Sequence, residues 1–276
     1  MTERVWLVTG ASRGFGAVIS KTVLAAGDRL IATARRTDGL DHLESSDSLF
    51  KAALDVTNET QVRSAVDAGL DRFGHVDVLV NNAGISLLGA VEECSGDQVE
   101  QLYRTNVFGL LNVTRALLPS MRQRRSGRII NISSVAGYSA YAGFGVYSST
   151  KFAVEGLSEA LHTELKPLGV HVTVVEPGFF RTDILDANRS LIEANDRIAD
   201  YDETAGAMRD AIPSYNHQQP GDPAKLAQAM MELADAPDPP LRLPLGPDTL
   251  SRMVEKNALV EKETAAWRTL AGSTDY

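Results

Sequence analysis

Short apolar runs alternate with helical stretches through most of the chain, and that alternation leaves few folds open. Strands separated mostly by helices do not form hairpins. They pair in parallel, with the helices as crossovers on the sheet faces. The runs are Arg4 to Val8, Leu30 to Ala34, Phe50 to Leu54, Val76 to Val80, Arg128 to Ile132 and Val170 to Val175. The fourth is mostly apolar, the pattern of a strand buried on both faces. Between them lie helical stretches: Ala17 to Ala26, a segment capped by Asn58 and running to Phe73, a long region over Gln98 to Gln123 bent near Gly109, and Tyr147 to Leu168. Asp222-Pro223 reads as the cap and first residue of a helix reaching Ala234, and residues 249–270 as a C-terminal helix. The expected fold is α/β, a doubly wound parallel sheet with helices on both faces. Without a low-complexity linker, residues 1–276 are expected to form a single domain.

The first strand runs into Thr9-Gly10-Ala11-Ser12-Arg13-Gly14-Phe15-Gly16 and then a helix. Strand, glycine-rich turn and helix make the dinucleotide-binding arrangement of a Rossmann-type sheet. Gly10 permits the tight turn, Gly14 lets backbone approach a pyrophosphate, and Gly16 lets helix pack closely on strand. Free N–H groups at the helix start attract phosphate. The spacing is Gly-x-x-x-Gly-x-Gly, which differs from the common Gly-x-Gly-x-x-Gly.

Tyr147 and Lys151 stand four residues apart, on one face of a helix. A phenol titrates near ~10 on its own. An adjacent ammonium is expected to lower that value, letting the tyrosine give a proton to a carbonyl oxygen or take one from an alcohol.

Taken together, the chain resembles the short-chain dehydrogenase/reductase family. The resemblance rests on Thr9-Gly10-x-x-x-Gly14-x-Gly16, Asp55-Val56, Asn81-Asn82-Ala83-Gly84, Asn106-Val107-x-Gly109, Asn131-Ile132-Ser133-Ser134, Tyr147-x-x-x-Lys151, and Pro177-Gly178 followed by Thr182. It implies a seventh strand at residues 241–245. It implies a catalytic set of Asn106, Ser134, Tyr147 and Lys151. Ser134 is preferred over Ser133 because it stands thirteen residues before Tyr147. Adjacent residues at a strand end point to opposite sides, so only one can face the site. Lys151 would also hold the nicotinamide ribose, and the Asn106 carbonyl would anchor a water that replenishes the proton of Tyr147. Asp55 and Val56 would meet the adenine, Asn82, Ala83 and Gly84 would pass the ribose, and Pro177, Gly178 and Thr182 would fix the nicotinamide.

The cofactor is expected to be NADP(H). No carboxylate stands at Ala34 to repel a 2′-phosphate, and Arg35 follows at once. Arg13 is placed to reach the same phosphate, Ser12 adds a hydroxyl, and Arg36 reads as a solvated charge. The substrate is expected to be a small-molecule ketone, aldehyde or alcohol of apolar character, and residues 176–182 with the Ala34-Arg35-Arg36 turn are similar to the hydroxysteroid- and retinol-type branch. Residues 184–220 are expected to form a mobile lid of one or two helices. A dehydratase or epimerase is disfavoured by the complete Ser134, Tyr147 and Lys151 set. A non-catalytic nucleotide sensor is the alternative. Resemblance also implies a homo-oligomer, dimer or tetramer, joined through the helices at 98–123 and 147–168.

The net charge of -9 argues against nucleic-acid binding. One cysteine, Cys94, forbids an intrachain disulfide and suits a reducing, cytoplasmic setting. The five histidines show no metal-ligand spacing, the N-terminal apolar run is too short for a signal peptide, and no segment is expected to span a membrane.

Overall fold

The computed structural model describes residues 3–276; residues 1 and 2, which the single-domain expectation includes, lie outside the described residues. Its main sheet has seven parallel strands: β1 (Val5–Val8), β2 (Arg29–Ala34), β3 (Leu49–Ala53), β4 (Val78–Asn81), β6 (Gly127–Ile132), β7 (Val170–Pro177) and β9 (Arg242–Leu245), in the order β3-β2-β1-β4-β6-β7-β9. Two further strands, β5 (Ser86–Leu88) and β8 (Leu191–Glu193), pair in parallel as a separate small sheet that the sequence reading did not foresee.

Period-two alternation divides the core. Trp6 and Val8 point to the face covered by α1 (Gly14–Ala25) and α7 (Pro223–Asp235), where Ile19, Val23, Met230 and Leu233 meet them. Val5 and Leu7 point to the opposite face, against α2 (Glu59–Phe73) and α4 (Gly109–Arg124). Asn58 caps α2 by accepting from the N–H groups of Thr60 and Gln61, both at 3.1 Å, and Gly74 ends it at φ 81°. The capping box of Ser95 and Gln98 starts α3 (Gly96–Tyr103). The expected bend near Gly109 is a π-helical turn over Arg104–Phe108 that joins α3 to α4. A Cβ on Gly109 would stand 2.5 Å from Val56, so glycine is what allows the widened turn to close on the strand end.

Three more helices complete the chain: α5 (Gly145–Leu165), α6 (Ala207–Tyr215) and α8 (Pro247–Ala271). Successive strands move outward from β1 in one direction and from β4 in the other, so β1 and β4 flank the topological switch point. Loops leaving the carboxyl ends of strands there bound the crevice where ligands bind in such sheets. Among the described residues, no helix is long and apolar enough to cross a membrane.

Candidate active site

The glycine turn after β1 and the Asn82-Ala83-Gly84 turn after β4 lock together. Thr9 Oγ1 accepts from the N–H groups of Asn82 at 2.9 Å and Ala83 at 3.0 Å, while Asn82 Nδ2 donates to the carbonyls of Thr9 and Gly10. Gly10 and Gly14 adopt φ 65° and 53°, where a side chain would be strained. A Cβ on Gly16 would stand 2.3 Å from the Gly10 carbonyl oxygen, so no other residue allows this approach. No side chain caps α1, which leaves its first N–H groups facing the crevice. A polar cradle of this shape, which a single Cβ would fill, fits a pyrophosphate.

At the β2 end, Arg36 is consumed by an ion pair with Asp38. Arg35 is exposed and makes no ion pair among the described residues. Arg13 donates from Nη2 to the Arg189 carbonyl at 2.8 Å and to Ser190 Oγ at 3.0 Å. Its guanidinium therefore ties the glycine turn to the segment before β8. Asp55 holds a local turn, its Oδ1 accepting from the N–H and the hydroxyl of Thr57 at 2.9 and 2.8 Å. The Val56 carbonyl is fixed by Asn112. Ser12 and Phe15 line the same cavity, with Phe15 edge-on to Phe180 at 5.4 Å. Thr182 is buried beside Gly14.

The reacting groups meet at the other end of this cavity, which has a volume of 720 Å³. Ser134 begins a turn after β6, its Oγ accepting from the Ala136 N–H at 3.1 Å, and it lines the cavity together with Tyr147. Ser133 points the other way and is enclosed, as expected of adjacent residues. Lys151 is 7% exposed and donates from Nζ to the Ile132 carbonyl at 3.0 Å, with its ammonium 5.8 Å from the Tyr147 ring centre. Asn106, in the π turn, clasps the Ile85 backbone in both directions at 2.9 Å and donates to Thr150 Oγ1 at 3.2 Å. The apolar wall includes Tyr141, Phe144, Phe179, Ile184 and Leu185.

One expectation needs correction. Tyr147 is not lowered: burial pushes its phenol up to about 12, outweighing the lowering influence of Ser134. Burial likewise pulls Lys151 down to about 8, against the raising influence of Glu155. Desolvation disfavours both charged forms, and at this separation the ammonium does not offset it. The segment after Thr182, expected as a lid, is tied to the body at two places. Strand β8 binds it to β5, and buried Glu93 accepts from the N–H groups of Ala90 and Ile198, each at 2.8 Å, and from Arg209 at 3.0 Å.

Glu93 gave no sign in the sequence, standing in an acidic stretch that reads as surface. The same holds for Asp248 at the start of α8. Its carboxylate accepts from the Phe179 N–H at 2.7 Å and sits where a Cβ of Gly178 would be, so it shapes the Pro177-Gly178 turn. Cys94 is half-buried, its thiol donating to the Ala90 carbonyl.

Residues 4–192 match the sequence pattern of the short chain dehydrogenase family. The chain belongs to that family. A solved short-chain dehydrogenase of Streptomyces avermitilis is 42% identical, superposes with a TM-score of 0.92 and is matched over 100% of both chains. An oxidoreductase of Botryotinia fuckeliana, BOA17, is 34% identical over 97% of this chain and 98% of its own length. A 3-ketodihydrosphingosine reductase of Bacteroides thetaiotaomicron is 36% identical over 90% and 89%. The short-chain dehydrogenase described here is thus an oxidoreductase with a fold that binds a nicotinamide cofactor.

Proposed function

We propose that this short-chain dehydrogenase is an NADP(H)-dependent reductase of apolar ketones or aldehydes, working in reverse as an alcohol dehydrogenase. The observation that carries the reading is the placement of Tyr147 and Ser134 together on one apolar cavity, with Lys151 behind them. Two donors converging on a carbonyl oxygen stabilise the charge that develops there. Tyr147, protonated at neutral pH, gives its proton to that oxygen; Ser134 keeps its own and holds the substrate. Lys151 positions the ribose and Tyr147 together, and Asn106 shapes the π turn beside it. When bound, the nicotinamide supplies or accepts the hydride. Gly10, Gly14, Phe15 and Gly16 would hold its pyrophosphate end, Arg13 and Ser12 would join Arg35 at the 2′-phosphate, Asp55 and Val56 would hold the adenine, Asn82, Ala83 and Gly84 the ribose, and Pro177, Gly178 and Thr182 the carboxamide. The 3-ketodihydrosphingosine reductase relative, named for a ketone, supports the same substrate class. One domain would carry both sites. Exposed Phe108 and Phe152, flanking α4 and on α5, support pairing of two copies through those helices.

Preference for NADP(H) rests on Arg35. An unpaired guanidinium beside a strand end without a carboxylate suits a phosphate dianion. Fluorescence titration is expected to give NADPH an advantage of tenfold or more over NADH, which corresponds to ~1.4 kcal/mol. Arg35→Asp should reverse the order. Equal affinities in the parent protein would refute the assignment. Turnover is tested with NADPH against medium-chain ketones, cyclic ketones and aldehydes. Binding without turnover of any of them would favour the sensor reading.

A further inference from the structure

One helical turn beyond Lys151, on the side away from the substrate cavity, α5 carries Glu155. Glu155 is 5% exposed, and Glu176 on β7 is fully enclosed. A single nitrogen, Nη1 of Arg242 on β9, donates to Glu155 Oε2 and, at 2.9 Å, to Glu176 Oε1. Nη2 of the same arginine donates to Glu159, which faces solvent. Glu176 Oε2 is buried with no donor among the described residues. Glu155 Oε1 and Ser133 Oγ are likewise buried with no partner among the described residues, both next to Gly137.

Three carboxyl groups therefore face one guanidinium. Two buried carboxylates on the same nitrogen cannot both ionise cheaply, because desolvation and mutual repulsion favour keeping a proton on one. Burial and the neighbouring Glu155 push Glu176 up to about 7, and burial pushes Glu155 up as well. The other charged or titratable groups around the pair are Lys151 and Glu159 of α5, Tyr138, whose ring lies 5.9 Å from the Arg242 guanidinium, and Lys256 and Glu261 of α8. Glu155, Arg242 and the two α8 residues line a 530 Å³ cleft between α5 and α8 that shares no residue with the substrate cavity.

We propose that Glu155 and Glu176 hold one proton between them, exchange it with solvent through the α5–α8 cleft, and so set the charge that Lys151 carries behind the active site. Both are positioning residues, and the proposal rests on the reading of Lys151 given above. Charge on the pair reaches Lys151 through Glu155, the carboxylate that favours the ammonium.

Two isosteric substitutions test this with opposite signs. Glu155→Gln removes the carboxylate nearest Lys151, so Lys151 gives up its proton at lower pH. Glu176→Gln removes the repelling neighbour, leaves Glu155 ionised, and lets Lys151 keep its proton to higher pH. The alkaline limb of kcat/KM for reduction of cyclohexanone by NADPH should move down in the first and up in the second, by on the order of one pH unit each. A purely structural role would lower Tm without separating the limbs. Limbs that stay in place, or move together, overturn the proposal. Infrared difference spectra of the intact protein give a readout without turnover. The carbonyl stretch of a protonated carboxylic acid should be present at neutral pH and lost in both variants. Its absence from the parent protein also overturns the shared proton. A band present in the parent and lost in both variants, in a protein that reduces no carbonyl compound, keeps the shared proton and sinks the active-site reading of Lys151.

Discussion

Tyr147→Phe is expected to lower kcat for ketone reduction by ~10²–10⁴ while leaving NADPH affinity essentially unchanged. The substitution removes one oxygen and nothing else. The ring keeps its edge-on contact with Phe144 at 6.1 Å and its place between the apolar clusters around Leu88 and Leu87. The glycine turn and Arg35, which the proposed function assigns to the cofactor, are elsewhere in the cavity. What is lost is the proton that the carbonyl oxygen must receive. With its phenol pushed up to about 12, Tyr147 is protonated at neutral pH, the state that reduction needs. Alcohol oxidation needs the phenolate, so its rate should climb with pH where reduction does not. Ser134→Ala, which removes the second donor, should cost ~10²–10³ and leave the pH dependence of oxidation in place. Steady-state kinetics in both directions test the pair of variants. A Phe variant within tenfold of the parent would show that the proton comes from another group.

The phenol also marks where sequence reasoning stops. Spacing of four along a helix places Tyr147 and Lys151 on one face, and the structure agrees. Spacing says nothing of desolvation, which here depends on the turn after β6 and the wall formed by Phe144 and Leu185. That is why the direction of the Tyr147 shift was misread. The main sheet was legible because its strands are apolar runs bounded by turn residues and most crossovers are helices, two of them announced by caps, Asn58 and Asp222. The β5–β8 pair was not, because each strand has three residues and its partner lies about a hundred positions away. Glu93 and Asp248 share that difficulty. Each is a single acid without a motif, and its meaning comes from backbone N–H groups that only the tertiary fold brings to it. The glycines announced themselves locally, and the structure supplies the reason at Gly16, where the Gly10 carbonyl leaves no room for a side chain.

Glu93→Ala is expected to release the segment that walls the cavity, and to do so without unfolding the sheet. In the parent, one buried carboxylate satisfies the N–H groups of Ala90 and Ile198 and the guanidinium of Arg209. Removing it leaves a cation with little exposure and two backbone donors without partners. Breaking a buried ion pair from one side costs ~3–5 kcal/mol. The chain can avoid most of that by opening locally, since a peripheral segment has a lower opening free energy than the β6–β7 core. Trypsin should therefore cut faster at Arg197 and Arg209, KM for apolar ketones should rise as Met208 and Ile212 lose their packing, and NADPH affinity should hold. Arg209→Met should do less, because the carboxylate keeps both backbone donors. Acid pH should imitate the alanine variant. The N–H of Ile198, then that of Ala90 and the charge of Arg209, hold the Glu93 carboxyl below the ordinary glutamate range. Its folded-state value being depressed, the latch contributes fully above that range and is lost as pH falls through the lower, folded value. Cleavage of the parent should accelerate on acidification, and cleavage of Glu93→Ala should not, when normalised to protease activity at each pH. If the alanine variant resists trypsin as well as the parent does, the wall is held by β5–β8 pairing alone, and Glu93 is a passive buried acid.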